Sequence, residues 1–140
     1  MMVDLATFET LNRCNVSEME KVGNSLSPEN PTACDEFRVH LKKVEAALIH
    51  TYSLVAYLAL YQKNPIDAAE LWKFMSKFSD LTINTLKTIK GKFPYCGAPE
   101  LYDLALDYKL ASDDRHQQNT RDAECLTLTI PPNLFPKRNS

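Results

Sequence analysis

A seven-residue repeat of apolar side chains constrains the fold of this chain more than any other feature. Positions 37 to 58 follow alternating steps of four and three residues, which places them along one side of an α-helix. We refer to this row of side chains as the core seam. Six of its seven members are apolar, and the exception is Thr51. The members are Phe37, Leu41, Val44, Leu48, Thr51, Val55 and Leu58. The pattern predicts a long helix, Thr32–Lys63, whose core seam packs against other helices.

The same predicted helix becomes apolar on nearly all sides between Ala46 and Tyr61. A helix of this kind is either buried at the centre of a protein or covered by a partner chain. We therefore expect a homodimer that buries part of this segment. The tyrosines of the segment are the candidate contact residues: Tyr52, Tyr57 and Tyr61.

The residues between the predicted helices indicate a helical bundle. Only three glycines occur in 140 residues, which is a poor supply for the turns of an all-β fold. Asn64 can cap a helix and Pro65 suits the first helical position, so a third helix is predicted at Pro65–Lys90, antiparallel to the second. Helical spacing predicts two more, at Asp4–Val22 and Pro99–Ser112. The expected fold is all-α, an antiparallel bundle of four helices over residues 1–112.

The chain becomes strongly polar after position 112. Residues 113–124 contain a single apolar side chain, Ala123. This composition fits either a solvated continuation of the fourth helix or a polar linker, and the sequence does not decide between them.

The C-terminal residues combine apolar side chains with prolines. Cys125–Ile130 alternates in the manner of a short strand, and three prolines follow it at positions 131, 132 and 136. Together with the polar segment before them, residues 113–140 are expected to form a linker and an extended proline-rich tail. Leu134 and Phe135 are candidate interaction residues, which pack on the bundle itself or dock on another chain.

No catalytic motif is visible in the sequence. The chain lacks a glycine-rich phosphate loop and a G-x-S-x-G turn, so we expect neither enzymatic activity nor a cofactor or metal site. His50 lies in the most apolar segment, where the simplest interpretation is a core histidine bonded to a hydroxyl such as that of Thr51. The alternative is a ligand-binding bundle centred on His50, together with Tyr52, Tyr57, Tyr61 and Trp72.

The charge balance disfavours nucleic acid as the main partner. The chain has 16 Lys and Arg against 18 Asp and Glu, a net charge of −2, whereas proteins that coat nucleic acid are basic. The third predicted helix nevertheless carries candidate phosphate-binding lysines: Lys73, Lys77, Lys87 and Lys90. A small subunit of a nucleoprotein assembly is therefore a second alternative, although lysines near a helix C-terminus also suit the helix dipole.

Cysteine usage and hydropathy indicate the expected environment. The cysteines are widely spaced, without a C-x-x-C motif, and are expected to be free thiols: Cys14, Cys34, Cys96 and Cys125. Neither a membrane-spanning stretch nor the layout of a signal peptide is visible, so we expect a soluble cytoplasmic protein without membrane contact. The expected function is a non-catalytic protein–protein interaction module, an adaptor or regulatory subunit that acts through a helical face and the tail.

Overall fold

Four α-helices account for nearly all of the residues that the computed structural model describes, which are residues 5–25, 33–89 and 98–129. Helix α3 contacts all three other helices, whereas α1 and α4 do not contact each other within the described residues. The predicted all-α bundle is therefore confirmed, with α2 and α3 between the two outer helices. The helices are α1 Leu5–Ser25, α2 Ala33–Leu60, α3 Pro65–Ile89 and α4 Ala98–Thr129.

The core seam of α2 faces the interior, as predicted. All of its members are buried except Leu58, which is partly buried. Thr51, the polar exception, is also fully buried, and its hydroxyl oxygen accepts a hydrogen bond from Asn12 Nδ2 of α1 at 3.3 Å. Because buried polar groups are costly without partners, this bond allows a threonine to occupy the core.

The turn between α2 and α3 forms as the sequence predicted. The Ile66 amide donates to Asn64 Oδ1 at 2.9 Å, which is an N-cap interaction. Pro65 follows as the first residue of α3. The end of α2 comes three residues before the predicted Lys63, where the Tyr61 amide donates to the Leu58 carbonyl at 3.2 Å and tightens the last turn.

Helix α1 runs past its predicted end at Val22 to Ser25. Gly23, predicted to lie in a loop, is helical and lies at a close contact with α2 and α3. A Cβ atom at position 23 would lie 2.9 Å from Ile89 Cδ1 and 3.0 Å from Phe37 Cε1. The missing side chain therefore lets α2 and α3 approach the backbone of α1 closely.

Helix α4 is much longer than Pro99–Ser112 and crosses the predicted boundary between positions 112 and 113 without a break. His116 Nδ1 lies 2.9 Å from the Ala69 carbonyl oxygen, and Asp113 accepts a hydrogen bond from Ser76, so α3 holds this part of α4. Residues 125–129, predicted as part of a strand, are helical. Leu134 and Phe135 lie outside the described residues.

Two further predictions concern the chemical environment. Cys14 is a free and exposed thiol, as expected, and Cys125 is also exposed. Cys96 and the side chain of Cys34 lie outside the described residues. None of the described helices is long and apolar enough to cross a membrane.

Candidate functional site

One side of α2 carries large apolar side chains that none of the other described helices covers. We define the outer face of α2 by five of the exposed residues opposite the core seam, which follow steps of three and four residues: Ala46, Ile49, Ser53, Tyr57 and Leu60. Ile49 is 45% exposed, Tyr57 60% and Leu60 76%. The other described helices pack against the opposite side of α2 and leave these residues exposed.

Neighbouring residues extend the outer face at both edges. Tyr61 is exposed, and its ring centroid lies 4.9 Å from that of Tyr57. On the α1 side, Phe8 stacks on His50 with ring centroids 6.0 Å apart. Leu11, which is also exposed, lies three residues after Phe8 and so projects from nearly the same side of α1.

The expectation that His50 is a core histidine is wrong. Its side chain is exposed and its ring contacts Phe8 rather than a buried hydroxyl. Position 50 lies on the outer side of α2, one residue before the buried Thr51, so the helical rotation of about 100° per residue turns it away from the core.

The predicted interaction residues separate into two groups. Tyr57 lies on the exposed side of α2, and Tyr61, the residue after its end, is also exposed. Tyr52 instead belongs to an inter-helix aromatic cluster, where its ring stacks on Tyr108 at 4.3 Å and lies 5.6 Å from Trp72. The residues proposed around His50 therefore do not converge on one ligand site, because His50 and Tyr57 face outward while Trp72 is buried.

The aromatic cluster joins three helices. Arg115 of α4 places its guanidinium carbon 5.0 Å from the centroid of the Trp72 ring, within the range of a cation–π interaction. Burial raises the pKa of Tyr108, and the nearby Tyr52 and Glu45 raise it further. These contacts give the cluster a structural role in fixing α4 against α2 and α3.

No known protein family, curated protein or solved structure matches this chain. Its function is therefore inferred from its own surfaces.

The sequence prediction named only the tyrosines of this segment and omitted Ile49 and Leu60, which are also exposed. A second seven-residue spacing, through Ala46, Ser53 and Leu60, runs along α2 opposite the core seam. Among the described residues, the other helices bury only the core seam of these two rows, and this second row is exposed.

The lysines proposed as a nucleic-acid site do not form an uninterrupted basic surface. Lys73, Lys77 and Lys87 are exposed, and Lys90 lies outside the described residues. Lys77 and Arg13 line a groove of about 430 Å³ between α1 and α3, together with the carboxylates of Asp80 and of Glu9, which pairs with Arg13 at 3.1 Å. Acidic groups in the same groove oppose the binding of a phosphate backbone.

Metal-binding residues do not gather in the part of the chain that the structure describes. No three side chains of His, Cys, Asp or Glu lie close enough there to hold an ion.

A hydrogen bond between Ser76 and Asp113 connects α3 to α4. Lys109 Nζ lies 2.7 Å from Asp113 Oδ2, and Ser76 donates to the same carboxylate. Burial raises the pKa of Asp113, but the hydrogen bonds from Lys109 and Ser76 outweigh it, so the pKa falls below its ordinary 3.8. The bond to Asp113 likewise raises the pKa of Lys109 above 10.5.

The substitution Asp113→Asn should make stability less dependent on acid pH. The lowered pKa means that the charged Asp113 stabilises the fold above the pKa of the unfolded chain, and that this contribution disappears as the pH falls through the folded-state pKa. We expect the substitution to lower the free energy of unfolding by less than about 1 kcal/mol at pH 7, since the pair is partly exposed. The difference should shrink towards pH 2. Urea unfolding at several pH values measures this difference. Asp114→Asn, at the adjacent exposed carboxylate, is the control, and equal pH profiles for the two variants would contradict the prediction.

Proposed function

We propose that this protein is a non-catalytic protein–protein interaction module, an adaptor or regulatory subunit, which binds its protein partner through the outer face of α2. The observation that supports the proposal is the exposure of Ile49, Tyr57 and Leu60 along one side of a helix whose opposite side is buried. Burial of exposed apolar surface is the main favourable contribution to most protein association.

The composition of this segment supports an interface. No Asp, Glu, Lys or Arg occurs from position 46 to position 61. A solvent-facing helix normally alternates its apolar residues with charged ones, whereas the centres of interfaces are depleted of charge and enriched in aromatic residues. Tyr57 and Tyr61 supply large contact areas at low cost in side-chain entropy.

Affinity capture from an extract of the native source tests the proposal. The baits are the tagged chain, its Leu60→Lys variant and a matched control variant. Leu110→Lys is that control, since Leu110 is a 59% exposed leucine of α4 outside the outer face. Both changes affect exposed side chains, so both variants should fold, as circular dichroism will show.

We expect the unmodified chain and Leu110→Lys to capture the same partner, identified by mass spectrometry, and Leu60→Lys to lose it. An untagged copy of the chain counts as a partner. Equal capture by all three proteins, or no specific capture by any of them, would refute the proposed surface.

A further inference from the structure

On the basis of the interaction function proposed above, we infer that the outer face of α2 binds a second copy of the same chain, with the two α2 helices antiparallel about a two-fold axis near Ser53. The sizes and charges of its residues support this orientation, and its exposed area supports a dimer.

Residue size favours the antiparallel register. With the axis at Ser53, the two serines face each other, Ile49 faces Tyr57 of the other copy, and Ala46 faces Leu60. Ala46, the small residue outside the axis, thus meets a large one, and the two ends of the antiparallel pair are equivalent. A parallel pair would place Leu60 against Leu60 at one end and Ala46 against Ala46 at the other, leaving a gap between the alanines.

Charge favours the same orientation. Lys42 and Lys43 are exposed and lie one turn before Ala46 on the outer side of α2. A parallel pair would bring four ammonium groups together, whereas the antiparallel pair separates the two Lys42 residues by about 33 Å along the helices, several screening lengths at physiological salt. At each end of the antiparallel pair Lys43 lies near Lys63 of the other copy, but the positive charge there is reduced by Asp67 and by Glu45, whose carboxylate lies 3.5 Å from Lys42 Nζ.

The available area suits a dimer in exchange with its monomer. The exposed large side chains of the outer face, with Tyr61 and Leu11 at its edges, present on the order of 500 Å² per copy. Two copies would bury on the order of 1,000 Å², the lower limit for a specific protein interface. The dimer should therefore form progressively as the protein concentration rises.

Sedimentation equilibrium of the purified full-length chain tests the pairing, over concentrations from about 1 μM to several hundred μM. A reducing agent is needed because Cys14 and Cys125 are exposed thiols that could link copies covalently. We expect the mass to rise from 15.9 kDa towards twice that value. Leu60→Lys should raise the dissociation constant at least about tenfold, whereas Leu110→Lys should leave it unchanged.

A single 15.9 kDa species at the highest concentration, or a dimer unaffected by Leu60→Lys, would overturn the inference. A monomer that still captures a different protein through Leu60 would refute the second-copy partner and leave the proposed interaction function standing.

Photo-crosslinking tests the orientation. Benzoylphenylalanine replaces Tyr57 in a mixture of ¹⁴N- and ¹⁵N-labelled full-length chains, so that products between copies are distinguished from those within one copy. We expect products between copies at residues 49–53. Products that join position 57 to position 57 would overturn the antiparallel register. Products within one copy at residues 130–140 would show that the chain's own C-terminal segment occupies the face, and would overturn the second-copy assignment.

Discussion

Replacing Phe37 with alanine should lower the free energy of unfolding by about 3–5 kcal/mol, the usual cost of removing a buried phenylalanine ring. Phe37 is fully buried, and its ring lies against the α1 backbone at Gly23. The substitution leaves a cavity where α1, α2 and α3 meet, and a rigid helical junction can close it only in part. Since small domains unfold at about 5–15 kcal/mol, a large share of the stability should disappear.

Urea unfolding followed by circular dichroism measures this loss. Val39→Ala is the control, because Val39 lies two residues further along the same helix and is exposed. It should change stability by less than about 0.5 kcal/mol. Equal effects of the two substitutions would contradict the packing described for Phe37.

Replacing Trp72 with alanine should have a similarly large effect, about 3–5 kcal/mol. Trp72 is buried, contacts the Tyr52 ring and lies under the Arg115 guanidinium. The substitution thus removes one side of the contact between α3 and α4 as well as its share of the core. Trp72→Phe should lower the free energy of unfolding by less, because a smaller aromatic ring remains beside Tyr52 and Arg115.

Circular dichroism is the appropriate measurement for this series, since Trp72 is the only tryptophan of the chain and its fluorescence disappears in both variants. Leu110→Ala, at an exposed position of the helix that carries Arg115, is the control and should be nearly neutral. A loss at Trp72 no larger than the loss at Leu110 would mean that the aromatic cluster does not hold α4 in place.

The helical class and the first three helices could be predicted because their signals are local. The core seam is a periodic pattern within one helix, and Asn64 caps α3 through a bond to an amide two residues away. Such features depend on residues that are close in sequence, so the sequence alone specifies them.

The length of α4 could not be predicted, because the residues after Ser112 are polar and carry no helical apolar pattern. Their helical state depends on partners far away in sequence, namely Ser76 for Asp113 and the Ala69 carbonyl for His116. Farther along, hydrogen bonds within the helix stabilise it, such as the bond from Gln118 to Asp122 at 3.0 Å. The composition of this segment is equally typical of a linker.

The sequence by itself determined that this chain forms amphipathic helices, that the core seam is buried and that Asn64 and Pro65 reverse the chain. Only the tertiary structure decided which apolar residues of α2 remain exposed. A helix that is apolar all round has no sequence signal for which side the bundle covers, because its burial depends on how many neighbours pack against it. The three neighbouring helices take the side of Thr51 and Val55, and they leave Tyr57 and Leu60 in solvent.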